Sequence, residues 1–85
     1  MKEFLVRVLI EPKPELLDPQ GQAVERAMIE LGLKNIAQTR VGKLIKFRLK
    51  AVSAAQAREK VSEIAQRFLA NPVIERYSLE LEEVD

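Results

Sequence analysis

Neither cysteine nor histidine occurs anywhere in the 85 residues. Without cysteine there is no disulfide framework and no thiolate nucleophile. Without histidine the chain lacks the usual general base near neutral pH and the commonest metal ligand. Together the two absences exclude zinc sites and Ser-His or Cys-His nucleophile pairs. An enzyme made from this chain would have carboxylates, lysines and the lone Tyr77 to work with. No apolar run approaches the ~20 residues of a membrane-spanning helix. Met1-Lys2-Glu3 leads straight into patterned sequence rather than a signal peptide, so the expected location is the cytoplasm. A net charge of +1 gives no argument for nucleic acid or an anionic membrane as partner.

What is present describes one small folded domain spanning residues 1–85. Hydrophobic residues make up 47% and charged residues 32%, which excludes disorder. A chain of this length buries only ~60–65% of its unfolded surface, so its stability alone is modest.

The chain is organised around Lys13 to Val24. Pro12 and Pro14 end the preceding ladder because neither can donate a backbone hydrogen bond. Asp18 followed by Pro19 reads as an N-cap and first helical residue. Before this break, Phe4, Val6, Val8 and Ile10 alternate with Leu5, Arg7 and Leu9, the period of a strand. After it, Val24, Ala27, Met28 and Leu31 form one apolar stripe on a helix from Pro19 to Leu31. Gly32 is placed to end that helix in a left-handed conformation, with Leu33 folding back as in a Schellman cap.

Ile36 to Val41 reads as a second, edge strand, and Gly42-Lys43 as a hairpin turn. Leu44 to Ala51 is the third strand and has the cleanest alternation: Ile45, Phe47, Leu49 and Ala51 against Lys46, Arg48 and Lys50. Ser53 and Gln56 form a capping box, and Ala57, Val61, Ile64, Ala65 and Phe68 the buried stripe of a second helix. Asn71 is expected to take the left-handed stop before Pro72. Val73 to Leu81 is the last strand, and Glu82 to Asp85 a frayed tail. The order β-α-β-β-α-β implies an α+β, ferredoxin-like two-layer sandwich, strand order 4-1-3-2, with both helices on one face of an antiparallel sheet.

That arrangement leaves one sheet face bare, showing Leu5, Leu9, Leu44 and Ile74. Burying four such side chains, even partly, is worth roughly 4–8 kcal/mol. Burial against a second copy follows as the expectation. Leu16 and Leu17, unexplained in so polar a loop, join this set as candidates for contact with another chain.

Between Leu31 and Arg58 there is no acidic residue, while Lys34, Arg40, Lys43, Lys46, Arg48 and Lys50 fall there. This basic stretch fits a solvated strand face balanced by acids elsewhere. It also fits an acidic protein surface, including a second copy's acidic last strand, or a nucleic acid. RNA-binding domains of this topology stack bases on exposed aromatics, and here Phe4 and Phe47 face inward. Glu11, Glu15 and Asp18 have no fixed spacing that would make a catalytic pair or cation site. Gly42-Lys43 alone is no phosphate loop.

Three motifs in order carry a resemblance: Lys13-Pro14-Glu15 with Leu17-Asp18-Pro19-Gln20-Gly21, then Arg40-Val41-Gly42-Lys43, then Leu69-Ala70-Asn71-Pro72-Val73-Ile74-Glu75. The chain resembles, end to end, the PurS family of small subunits of phosphoribosylformylglycinamidine (FGAM) synthase. The resemblance implies a subunit without catalytic residues in de novo purine synthesis. It implies dimers or tetramers that bring a large synthetase subunit and a glutaminase together for ammonia transfer. ATP and magnesium would belong to the large subunit, with no cofactor, metal, nucleic acid or membrane bound by this chain. Asp18, Gln20, Arg40, Lys43 and Asn71 become candidate contacts to those enzymes, equally explained as cap, turn and helix stop. The rival reading is a stand-alone ferredoxin-like module that binds nucleic acid or a small ligand through its basic strand.

Overall fold

The computed structural model describes residues 1–84. Its centre is β1 (Lys2–Pro12), which pairs antiparallel with β2 (Lys43–Ala51) on one side and β3 (Glu75–Val84) on the other. The sheet order is therefore β2-β1-β3. This is the order expected for the first, third and fourth strands, and the ferredoxin-like α+β reading holds. Alternation along β1 puts Phe4, Val6, Val8 and Ile10 on one face, each at most 2% exposed. Ile45, Phe47 and Leu49 from β2 and Tyr77, Leu79 and Leu81 from β3 pack around them. Each of these large side chains contributes about 1.5–3 kcal/mol when fully buried, so this row dominates the core.

Helix α2 (Ala54–Ile64) covers that face. Ser53 Oγ accepts from the Gln56 N–H at 3.1 Å, while Gln56 Oε1 accepts from the Val52 N–H at 2.9 Å. The second half of the box is thus displaced by one residue from the cap itself. Ala57, Val61 and Ala65 are buried as the stripe requires, but Ile64 is 47% and Phe68 80% exposed. Ile64, still on the regular helix, lies beside the buried line of Ala57, Val61 and Ala65; for Phe68 the cause is a π-turn, Ala65–Leu69, closed by the Ala70 N–H on the Ala65 carbonyl at 2.9 Å. The widened turn shifts the helical phase, so Leu69 and Ala70 take the inward places that regular spacing gives to Phe68.

The helix exit also differs from expectation. Asn71 is not among the residues with positive φ. The proline after it disfavours helical backbone at Asn71, and Ala70 is already extended at φ −114°, ψ 146°. Asn71 stops the helix through its side chain instead, Oδ1 accepting from the Val73 N–H at 3.1 Å. Its carbonyl accepts from the Glu75 N–H at 2.7 Å. Strand β3 consequently starts at Glu75, leaving Val73 and Ile74 on a turn and Ile74 off the bare sheet face. At the other end Glu82, Glu83 and Val84, expected to fray, pair with Leu5, Phe4 and Glu3. Asp85 lies outside the described residues.

Helix α1 (Pro19–Glu30) begins and ends as its sequence dictates. Gly32 takes φ +107°. The Leu33 N–H reaches the Met28 carbonyl at 3.0 Å and the Gly32 N–H the Ile29 carbonyl at 3.1 Å, the paired bonds of a Schellman cap. Yet α1 stands off the sheet: Gly21 is its one buried residue, and Val24 and Ile29 are 38% and 41% exposed. Its neighbour is the segment 36–41, which runs without a β-ladder and is no strand; Gly42-Lys43 therefore closes no hairpin. Left-handed Asn35, at φ 64°, precedes it and Gln38, at φ 60°, interrupts it. Helix α1 and this segment form an arm off the sheet, in a molecule that measures 49 × 29 × 15 Å.

The π-turn gives a direct contrast. Phe4→Ala is expected to cost about 3–5 kcal/mol, whereas Phe68→Ala stays within about 0.5 kcal/mol, in urea unfolding of dilute protein. A large loss at Phe68 would restore the regular helical stripe.

Candidate functional site: the loop end of the sheet

β1 ends, and β2 and β3 begin, at the same edge of the sheet, so three connecting segments meet there. The Lys13 N–H donates to the Ile74 carbonyl at 2.9 Å and ties the loop after β1 to the turn before β3. Arg76 Nε donates to Glu11 Oε1 at 2.7 Å across the same end. Gly42 enters β2 so close to β1 that a Cβ there would strike the Ile10 carbonyl oxygen.

From this end the arm is built by carboxylates. Asp18 Oδ1 accepts from the Gly21 N–H at 3.0 Å, the N-cap bond, while Oδ2 accepts from the Val41 N–H, also at 3.0 Å. Two turns further, Glu25 Oε1 accepts from the Thr39 N–H at 3.1 Å and the Thr39 hydroxyl at 2.8 Å. Thr39 and Val41 alternate, so both N–H groups point to one side, where a neighbouring strand would normally stand. Side chains of a helix take that strand's place. Arg40 answers from the opposite direction, its guanidinium donating to the Leu16 carbonyl at 2.6 Å and the Pro14 carbonyl at 2.7 Å. Gly21 is buried beneath this lock, where an added Cβ would meet the Thr39 carbonyl oxygen.

These bonds depress both carboxyl pKa values. Asp18 is lowered chiefly by the Val41 N–H, then by the Gly21 N–H, with the Arg40 guanidinium adding to them. Glu25 is lowered by the Thr39 hydroxyl and then by the Thr39 N–H. A cleft of about 460 Å³ between Pro14–Asp18 and Gln38–Arg40 borders the lock.

The candidate contact residues gather at this end. Asp18 and Arg40 are committed to the arm, Gln20 is exposed on the first turn of α1, and Lys43 is exposed at the start of β2. Asn71 sits in the turn that Lys13 anchors. The self-association candidates divide. Leu5, Leu9 and Leu44 share the bare sheet face, with Leu9 39% and Leu44 54% exposed. Leu16, Leu17 and Ile74 instead lie at the loop end, Leu17 being 72% exposed. Glu25 and Thr39 were not singled out from sequence. Their signal was the seven-residue step from Asp18 to Glu25, which repeats a carboxylate on one helix face.

The basic strand is not a free positive stripe. Arg48 Nη1 bonds Glu3 Oε2 at 2.6 Å, and Arg7 Nη1 meets Glu82 Oε1 at 3.5 Å. The face bearing Lys46, Arg48 and Lys50 carries Glu80 and Glu82 on its far strand.

A family model described as PurS, phosphoribosylformylglycinamidine (FGAM) synthase, matches residues 5–83. The chain belongs to the PurS family. Among curated relatives, the phosphoribosylformylglycinamidine synthase subunit PurS of Synechocystis sp. is 36% identical, over 88% of this chain and 75% of that one. Among solved structures, Thermus thermophilus PurS is 39% identical with a TM-score of 0.84, covering 98% of this chain and 99% of that one. A chain in the structure of PurLQS from Thermotoga maritima is 29% identical with a TM-score of 0.85, covering 96% and 100%.

The lock has a definite pH signature. Because both carboxyls titrate lower in the folded chain than in the unfolded one, their stabilisation is fully present above the ordinary carboxylate range. It is lost as pH falls through their folded values. Protection of the Val41 and Thr39 amides, taken relative to their intrinsic exchange at each pH, should therefore fall below about pH 4, ahead of that of the β1 core amides. Asp18→Asn with Glu25→Gln should show the reduced protection already at pH 7. Uniform exchange across arm and core would contradict an independent lock.

Proposed function

We propose that this chain is the non-catalytic small subunit of a glutamine-dependent FGAM synthase in purine biosynthesis. In this reading it brings a synthetase and a glutaminase together so that ammonia passes between them. The observation that carries it is the end-to-end family match, residues 5–83, on a chain without histidine or cysteine. The likeness to a chain of the Thermotoga maritima PurLQS structure supports an assembly of three kinds of subunit. ATP and magnesium belong, in this reading, to the synthetase, and the complex works in the cytoplasm. Among the described residues no helix is long and apolar enough to cross a membrane.

The subunit acts by shape, and two surfaces serve it. The bare sheet face, with Leu5, Leu9 and Leu44, meets a second copy of the chain. The loop end, where Gln20, Lys43 and Asn71 lie near one another's segments, meets the enzymes. Arg40 and Asp18 contribute by holding the arm in position rather than by contact chemistry.

Reconstitution tests the assignment. Omitting this chain should abolish most glutamine-dependent FGAM formation while synthesis from added ammonia persists in the synthetase. Full glutamine-dependent activity without the chain would overturn it. Within the complex, Lys43→Glu is expected to weaken co-elution with the enzymes while leaving the elution of the isolated chain unchanged. Undisturbed co-elution would remove the loop end from the interface.

A further inference from the structure

The charges of the bare sheet face are sorted by strand. Over the central levels of that face β2 presents Lys46, Arg48 and Lys50 and no acid, and β3 presents Glu80 and Glu82; Arg76, at the loop end of β3, is paired with Glu11 of β1. β1 lies between them with Leu5, Arg7 and Leu9. The register sets these residues at common levels. Lys46 and Glu80 flank Arg7, Arg48 and Glu82 flank Leu5, and Leu44 and Ser78 flank Leu9. Two of the central charges are satisfied within the chain, Arg7 by Glu82 and Arg48 by Glu3. Lys46 and Glu80 take part in none of the ion pairs formed among the described residues.

We propose that two copies pack these faces together about a twofold axis parallel to β1, so that Lys46 of each copy meets Glu80 of the partner subunit. The inference rests on the self-association proposed above and adds its geometry. Two in-plane axes allow identical sheets to pack face to face. An axis across the strands lays β2 on β2 and β3 on β3, opposing lysine to lysine and glutamate to glutamate. An axis along the strands reverses left and right but keeps each residue's level, so basic β2 lies on the partner's acidic β3. Like charges held together are penalised and opposite ones favoured, which selects the second axis. The usual ~30° between packed sheets shifts an outer strand by less than the ~3.3 Å rise of one residue, so the levels stay matched.

The apolar residues agree with this axis. Leu5 and Leu9 lie on β1 and face their own counterparts. Leu44, at the level of Leu9, adds to one apolar end while the Lys46–Glu80 level forms a charged one. Each Arg7 lies near the axis, its charge already met by Glu82 of its own chain.

Charge exchange tests the axis. Sedimentation equilibrium at low ionic strength should show Lys46→Glu alone and Glu80→Lys alone each weakening the dimer about tenfold or more, since two contacts per dimer become repulsive. The two substitutions in one chain should restore wild-type association, and added salt should shrink all of these differences. Because the chain has no cysteine of its own, single thiols can be placed freely. Mixing Lys46→Cys chains with Glu80→Cys chains and a short bismaleimide should give mainly the mixed 46–80 product. If Lys46→Cys links chiefly to itself, or if single reversals leave the wild-type dimer unchanged, the axis is wrong. If wild-type protein is monomeric throughout, the self-association reading itself falls and the axis with it. Circular dichroism of each variant separates loss of pairing from loss of fold.

Discussion

One carboxylate decides what kind of molecule this is. Asp18 caps α1 through the Gly21 N–H and, with its other oxygen, accepts the Val41 N–H from a segment 23 residues away. A capping bond is worth about 1 kcal/mol to its own helix, but this one also fixes where the chain returns to the sheet. With Glu25 on Thr39 and Arg40 on the Leu16 and Pro14 carbonyls, the arm becomes a unit braced by polar bonds rather than by a core. Gly21 follows from this, because the backbone of the returning segment passes where a side chain would stand. Hydrophobic burial organises the sheet and α2, and charge-assisted hydrogen bonds organise everything between Pro14 and Val41.

This division explains the uneven distribution of apolar surface. The β1 row is sealed beneath α2, and the chain leaves no large side chain of that row exposed. The arm spends its amides on carboxylates and leaves Val24, Ile29, Leu31 and Leu33 facing outward. The π-turn adds Phe68 to the outer surface, and Asn71's side-chain stop adds Val73 and Ile74. A chain of this size with so many outward aliphatics is incomplete by the standard of a solitary domain. Leu17, Val73 and Ile74 lie at the loop end, Leu9 and Leu44 on the bare sheet face, and Ile29, Leu31 and Leu33 at the far end of α1.

Much of this was legible from residues alone, and the misses have physical causes. Alternation along Phe4–Ile10 and Leu44–Ala51 fixed both faces of two strands, because period two has no competing interpretation over seven or more residues. Asp18-Pro19, Gly32 and Ser53 marked helix boundaries since each supplies a specific bond or φ value. The segment Ile36–Val41 has strand composition, and its alternate amides do point one way. That they end on Asp18 and Glu25 instead of a strand is a long-range choice that composition does not encode. Phe68 failed for a local reason: the π-turn closed by the i→i−5 bond at Ala70 rotates the last turn, and a fixed helical period cannot anticipate it. The loop-end cluster was visible only as three separate motifs, since their meeting depends on β1 being central.

Among the described residues, the two carboxyls with lowered pKa, Asp18 and Glu25, both accept backbone amides of the returning segment. What these bonds set is distance. The arm holds Gln20 and the first turn of α1 away from the sheet, braced at its base by the charged pair Glu11–Arg76 and the Lys13–Ile74 bond. Rigidity of this kind serves positioning, because a hydrogen-bonded brace keeps its geometry without covering the apolar residues it displays. The same carboxylates that would be available to an enzyme as acid or base are here held ionised by N–H groups, and a carboxylate held that way neither gives nor takes a proton near neutral pH. Ionised carboxylates and a fixed arm are therefore one structural choice, made at Asp18 and repeated at Glu25.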